Sequence, residues 1–139
     1  MLLNEYHIFI SHSWTYGDAY NRLITMLNYA PHFLYKDYSV PKEDPIHSCG
    51  SDFELYMAIK RQISPCDVVL ILAGVYSTYS KWINKEIHIC KNGFSTVKPI
   101  IGVAPWGAER ISSIVRDNAD TIVNWNTNSI VDAIREYAI

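Results

Sequence analysis

Residues 67–73 read D-V-V-L-I-L-A, and this almost unbroken apolar run constrains the fold more than any other segment of the chain. A strand that is continuously apolar, with no alternation of polar residues, is covered on both of its faces. Such strands occur in parallel sheets, because the crossover between two parallel strands brings a helix onto the sheet. The run therefore predicts an α/β protein in which this segment is the central strand.

Shorter apolar segments and helical patterns alternate on either side of this strand. The other predicted strands are residues 6–10, 33–35, 99–103 and 121–123. Predicted helices have buried stripes at Tyr20, Leu23, Ile24 and Leu27, at Leu55, Ile59 and Ile63, at Ile83, Ile87 and Cys90, and at Ile130, Ala133, Ile134 and Tyr137, with a short helix at 111–115. This alternation predicts a flavodoxin-like three-layer α/β fold with a five-stranded parallel sheet in the order 2-1-3-4-5. The length of 139 residues predicts one domain, residues 1–139.

Polar residues mark the ends of these elements. Residues 36–50 form the longest predicted loop, since two prolines within it discourage regular structure. Ser51 and Glu54 have the spacing of a capping box and predict the start of the second helix. Ser80 is predicted to cap the third helix.

In open parallel sheets, ligands bind beyond the carboxyl ends of the strands, near the switch point between the first and third strands. Ser11, His12 and Ser13 are predicted to follow the first strand at this point. Hydroxyl and backbone N–H groups in such a loop can bind a phosphate, or they can cap a turn. The residues alone leave both interpretations open.

Trp82 and Glu86 stand four residues apart on the third predicted helix, beside its buried stripe. That spacing places an aromatic ring and a carboxylate on one helix face, which we expect to border the crevice. Most glutamates on helices are exposed to solvent and have no role beyond the surface. The spacing alone therefore assigns no chemistry to Glu86.

Composition excludes several classes of protein. A formal net charge of −2 offers no excess of Lys and Arg with which to bind a nucleic acid, so none is expected as a partner. The longest apolar stretches are strand-sized and the amino end lacks a secretion signal, so no membrane association is expected. Three cysteines without a C-x-x-C pair favour a reducing, cytoplasmic compartment. Cys66 and Cys90 are expected to be core residues.

The common catalytic signatures are missing from the sequence. It contains no dinucleotide-binding glycine motif, P-loop, nucleophile elbow or H-E-x-x-H zinc motif. His12, His47 and Cys49 lack the spacing of a specific metal site, so no metal is expected. A phosphoaspartate receiver would need an aspartate after the third strand, where Ala73 and Gly74 stand instead.

Five segments in order resemble the TIR-like family, and more narrowly the bacterial TIR-like proteins of the Thoeris antiphage system. They are H-I-F-I-S-H-S-W at 7–14, F-L-Y-K-D-Y-S-V-P at 33–41, S-K-W-I-N-K-E-I at 80–87, K-P-I-I-G-V-A-P-W-G at 98–107 and V-N-W-N at 123–126. The chain departs from the family at His12, where an aromatic residue is usual, and in residues 36–50, which match the BB loop without its usual glycine. The resemblance implies the same flavodoxin-like fold.

The resemblance also implies a reaction. Enzymatic members use the glutamate of an S-x-W-x-x-x-E segment to break the bond between nicotinamide and ribose in NAD, and Glu86 matches that glutamate. NAD would be the substrate, with no bound cofactor. The cyclic or modified ADP-ribose produced would be a diffusible signal that activates a separate effector protein, the expected partner. The substrate-binding residues implied beside Glu86 are Ser11, His12, Ser13, Asp37, Ser80 and Trp82.

Three other functions stay open at this point. A TIR domain without enzymatic activity would self-assemble as a homo-oligomer through its BB loop and helical faces. A nucleoside deoxyribosyltransferase-like enzyme shares the topology and also places a glutamate near a ribose. An FMN-binding flavodoxin would use the hydroxyl-rich loop after the first strand.

Overall fold

The computed structural model describes residues 4–11, 19–39, 51–73, 81–104 and 112–139 of the chain. Strands and helices alternate through these ranges as β1 Glu5–Ser11, α1 Ala19–Tyr29, β2 Leu34–Asp37, α2 Asp52–Ile63, β3 Val68–Leu72, α3 Lys81–Asn92, β4 Ile100–Val103, α4 Ser113–Asn118, β5 Thr121–Val123 and α5 Thr127–Tyr137. Neighbouring strands are parallel and follow the order β2-β1-β3-β4-β5. The predicted flavodoxin-like α/β fold with strand order 2-1-3-4-5 is confirmed.

Strand β3 lies at the centre of the sheet, between β1 and β4, and each of its five residues is buried. Its side chains alternate between two cores, because successive residues of a strand point to opposite faces of the sheet. Helices α1 and α5 cover one face, here called the α1 side. Helices α2, α3 and α4 cover the other face, here called the α3 side. The apolar run that predicted a doubly covered central strand is thereby explained.

Helices α2 and α5 each begin at a residue whose side chain caps the helix. The Ser51 hydroxyl accepts a hydrogen bond of 3.1 Å from the backbone N–H of Glu54, as the capping-box spacing predicted. Asn126 caps α5 in the same way, with its side-chain oxygen accepting from the N–H of Ser129 at 2.8 Å. Each cap satisfies a backbone donor that the first turn of a helix leaves without a partner.

Strand β2 and helix α4 both end later than the sequence predicted. Strand β2 extends to Asp37, because Lys36 and Asp37 continue the parallel pairing with β1, and the predicted loop therefore begins too early. Helix α4 is Ser113–Asn118, where the prediction was 111–115. Its last turn is held by the Asn118 side chain, which donates to the carbonyl oxygen of Ile114 at 2.8 Å.

Two further predictions concern the chain as a whole. In the part of the chain that the structure describes, no helix combines the length and the apolarity needed to cross a bilayer. That residues 1–139 form one domain stays a prediction.

Candidate active site around Glu86

Helix α3 buries the stripe that its sequence predicted. Ile83, Ile87 and Cys90 all pack into the core of the α3 side. Glu86 lies immediately before Ile87 and is itself only 4% exposed. The helical spacing predicted that this glutamate would lie beside the stripe, at the border of a crevice. In the structure it is buried.

The Glu86 carboxyl is buried, and one of its two oxygens lacks a hydrogen-bond partner in the part of the chain that the structure describes. Its Oε2 atom has no hydrogen-bond partner among the described residues. Burial raises the pKa of Glu86 from 4.5 to about 8, and the nearby Ser11 hydroxyl lowers it by a smaller amount. The neutral acid therefore predominates at pH 7, since removing a carboxylate from water disfavours its charged form.

Ser11 reaches this carboxyl from the end of β1. It is the last residue of the strand and pairs with Ile71 of β3, where the sequence had predicted a loop residue after the strand. Phe9, two residues earlier, packs on the α3 side, so Ser11 faces α3 as well. Ser11 is 2% exposed, and its Oγ atom makes no hydrogen bond within the described ranges. Strand β1 and helix α3 thus bring together two enclosed polar groups that lack partners.

The cysteines of the same layer act as core residues, as predicted. Cys90 lies one turn after Glu86, and burial raises the pKa of its thiol to about 12, with the Glu86 charge adding to the effect. Burial likewise raises the pKa of Cys66 to about 12. Both thiols stay protonated near neutral pH, and a protonated thiol is a poor nucleophile.

Asp37, a predicted substrate-binding residue, is instead surrounded by donors. Tyr20 donates its hydroxyl hydrogen to Oδ2, and Ser39 donates both its backbone N–H, at 2.8 Å, and its hydroxyl to Oδ1. The Ser39 hydroxyl in turn accepts from the N–H of Ile10 at 3.1 Å. Burial first, and then the bond to Asp37, raise the pKa of Tyr20.

This network lies on the opposite face of the sheet from Glu86. Tyr20 packs against the core of the α1 side, whereas Glu86 lies on the α3 side. The structure therefore brings Ser11 and Glu86 together and keeps Asp37 apart from them. The residues alone did not reveal the network, although a serine two positions after an aspartate is the signature of an Asx turn. Substrate binding by Asp37 stays a prediction.

Of the remaining predicted site residues, Trp82 lies on a described helix. Trp82 lies on α3, one turn before Glu86, and nothing is described of its side chain. His12, Ser13 and Ser80 lie outside the described residues, as does Cys49. Among the residues that the structure does describe, no cluster of three or more His, Cys, Asp or Glu side chains forms a metal site.

Ser112 is a further buried polar residue, and the sequence did not single it out. Its backbone N–H donates to the carbonyl oxygen of Ala73 at 2.9 Å, which fixes the start of α4 to the end of β3. Because β3 ends there, this contact also lies at the carboxyl edge of the sheet, the edge where open parallel sheets bind ligands.

Comparison with known proteins gives one match to a described family. A family model for the TIR-like domain of the Thoeris protein ThsB matches residues 9–110, which include both Ser11 and Glu86. Among solved structures, the chain is similar to the crystal structure of a prokaryotic SEFIR domain, with 17% sequence identity, 94% of each chain covered and a TM-score of 0.49. No curated protein matches the chain.

Proposed function

The chain belongs to the family of the Thoeris ThsB TIR-like domain, and from this membership we propose that it cleaves NAD between nicotinamide and ribose with Glu86 as its catalytic carboxylate. One observation supports the proposal most strongly. Glu86 is 4% exposed, and its Oε2 atom has no hydrogen-bond partner among the residues described.

A buried carboxyl group with an unpaired oxygen lowers the free energy of unfolding, because no hydrogen bond replaces the water that this oxygen has lost. Buried carboxylates are ordinarily paired with a cation or hydrogen-bonded by several donors. Strongly perturbed carboxyl groups of this kind concentrate at functional sites, where a ligand or transition state supplies what the protein lacks. A substrate that carries positive charge would complete the Glu86 site.

NAD supplies that charge in two successive forms. The bound nicotinamide is a cationic pyridinium, whose charge favours loss of the Glu86 proton to solvent. The bond between the ribose carbon and the ring nitrogen then breaks, and its electron pair leaves with neutral nicotinamide. Positive charge passes to the ribose, and the Glu86 carboxylate stabilises it, as carboxylates do in glycoside cleavage.

The size of this effect follows from Coulomb's law. A charge pair at about 4 Å and an effective dielectric constant near 20 contributes roughly 4 kcal/mol, which is about a thousandfold in rate. Water, or a hydroxyl of the adenosine half of NAD, then attacks the ribose cation and loses a proton. Excluding water from the site favours the second route, which gives a cyclic product.

The substrate-binding residues, the product and the location are proposed from family membership. His12, Ser13, Asp37, Ser80 and Trp82 are proposed to bind the substrate. Ser11, which the resemblance also implied as a substrate-binding residue, is proposed to act at the site through Glu86. The product is proposed to be a cyclic or modified ADP-ribose that activates a separate effector protein during antiphage defence. We propose a cytoplasmic location, where NAD is available.

The test is nicotinamide release from NAD, separated by chromatography, with and without extract from phage-infected cells. We expect release by the wild type, a loss of roughly a thousandfold in Glu86→Gln, and no change in Glu136→Gln, an exposed glutamate on α5. Equal release by the wild type and Glu86→Gln would remove Glu86 from the mechanism.

The same preparations separate the other candidate functions. Exchange of a free base into deoxynucleosides, with NAD inert, would indicate a deoxyribosyltransferase-like enzyme. Self-assembly that is equal in the wild type and Glu86→Gln, with neither substrate consumed, would indicate an interaction module. Either result would contradict NAD cleavage.

A further inference from the structure

The Ser11 hydroxyl is unusual because it is both deeply enclosed and unused. Its Oγ atom and the Glu86 Oε2 atom are the buried side-chain oxygens without hydrogen-bond partners in the described part of the chain. A buried hydroxyl without a partner costs roughly 1–3 kcal/mol. An alanine or valine at this strand position would avoid that cost, and the presence of a serine therefore points to a role for the hydroxyl.

Ser11 is directed at Glu86 and not at the sheet edge. It shares the α3 side with Phe9, it is 2% exposed, and it acts on the Glu86 carboxyl across the space between β1 and α3. A hydroxyl enclosed to this degree is placed to contact the neighbouring carboxyl.

We infer that Ser11 is a positioning residue that donates its hydroxyl hydrogen to Glu86 once the carboxyl has lost its proton, and thereby sets the pH at which catalysis begins. The role deepens the proposed NAD cleavage and rests on it. When Glu86 is neutral, the hydroxyl has little to gain from the contact. When Glu86 is charged, a charge-assisted bond forms and fixes the orientation of the carboxylate.

The surroundings of Glu86 contain no described group that would do this instead. Burial raises the pKa of Glu86, and Ser11 alone among the described residues lowers it. Cys90, on the same helix, stays neutral with a pKa of about 12. On α2, which packs against α3, the Tyr56 ring faces the ring of His88 on the exposed side of α3, at 6.4 Å. No charged side chain described on α2, α3 or the sheet contributes to the shift.

The test compares Ser11→Ala with Ser11→Thr, which retains the hydroxyl, and with Cys66→Ala as a control. Cys66 is buried on the same α3 side, near the amino end of β3, and its thiol donates to the carbonyl oxygen of Gln62 at 3.4 Å. Removing this thiol deletes a comparable buried polar hydrogen without touching Glu86. NMR follows the titration of the 13C-labelled carboxyl carbon of Glu86 without NAD, and the absence of its signal from Glu86→Gln assigns it. The value of kcat/KM for NAD is then measured over the same pH range.

We expect Ser11→Ala to raise the midpoint of the Glu86 titration by about one pH unit, the lower end of what a hydrogen bond to a charged group contributes. The acid limb of kcat/KM should move by the same amount, so activity falls about tenfold below the midpoint and converges on the wild type at alkaline pH. Ser11→Thr and Cys66→Ala should keep the wild-type midpoint.

An unchanged midpoint in Ser11→Ala overturns the inference. So does a loss of activity that is equal at every pH, because it assigns Ser11 to direct substrate contact. The titration is made without NAD and is therefore independent of turnover. A raised midpoint in a protein that never cleaves NAD would refute the proposed function while sustaining the link between Ser11 and Glu86.

Discussion

Asp37 and Glu86 are two carboxyl groups that each lie beside a serine, yet their hydrogen bonding differs completely. On the α1 side, Asp37 receives hydrogen bonds from Tyr20 and from two groups of Ser39. On the α3 side, the Glu86 Oε2 atom has no hydrogen-bond partner among the described residues, and neither has the side-chain Oγ atom of the neighbouring Ser11.

The difference separates a carboxylate that holds elements of the fold together from a carboxyl group that has an oxygen without a partner in the ranges that the structure describes. A partly buried network with several hydrogen bonds fixes the geometry of the elements that it joins, and here it joins α1, β1 and the end of β2. A buried acid whose oxygen lacks a hydrogen-bond partner joins no elements through that oxygen and lowers the stability of the fold. Proteins retain such groups where a ligand or a reaction requires them. The contrast is the reason that the proposed function places catalysis at Glu86.

The largest expected effect is on the pH dependence of stability. The folded pKa of Glu86, about 8, lies above its ordinary value of 4.5, so the folded state holds the proton more tightly. Its contribution to stability is complete below pH 4.5 and is lost as pH rises towards 8. Between pH 4.5 and pH 7 we expect the free energy of unfolding to fall by about 3 kcal/mol.

Urea unfolding at intervals across this pH range measures the effect. In Glu86→Gln, the free energy of unfolding should change little over this range. In Asp132→Asn, which changes an exposed carboxylate on α5, it should fall as in the wild type. If the wild type and Glu86→Gln lose stability in parallel, Glu86 is not the buried acid described above.

The second effect is the loss of stability when the Asp37 carboxylate is removed. Asp37→Ala leaves Tyr20 and Ser39 without their acceptor, so we expect a loss of about 2 kcal/mol in the free energy of unfolding. Asp132→Ala, at an exposed position, should stay within about 0.5 kcal/mol of the wild type. A loss no larger than that of Asp132→Ala would mean that the Asp37 network does not hold the fold together.

The smallest effect compares the two serines. At pH 6, Ser39→Ala removes a hydroxyl that both donates and accepts, and should cost about 1 kcal/mol of unfolding free energy. Ser11→Ala removes a hydroxyl without a partner, and should leave stability unchanged or raise it by up to about 1 kcal/mol. Thermal unfolding of the two variants measures both, and the reverse order would break the comparison between the two sites.

The fold was predictable because its signals are local. The apolar run of β3 and the alternation of strand and helix patterns determine a doubly covered parallel sheet. The end of β2 was missed because Lys36 and Asp37 are strand residues only through their pairing with β1, almost thirty positions earlier in the chain. Local propensity carries no information about such a partner.

The site was predictable only in part. The resemblance selected Glu86, and helical spacing placed it near the core, but its enclosure depends on how β1 and α3 pack together. Likewise, the bond between Tyr20 and Asp37 joins a helix to a strand 17 residues away. Whether a carboxyl is satisfied or left without partners is decided by such contacts, which the sequence pattern does not contain.

The most direct test is a 13C NMR titration of the Glu86 carboxyl in the presence of a carbocyclic NAD analogue, which retains the pyridinium but resists cleavage. NADH, whose nicotinamide ring is neutral, provides the matched control. We predict a midpoint at about pH 8 in the empty protein, a lower midpoint with the cationic analogue, and a smaller change or none with NADH. A Glu86 that titrates near its ordinary value of 4.5 without ligand, or that does not respond to the cationic analogue, would contradict the account.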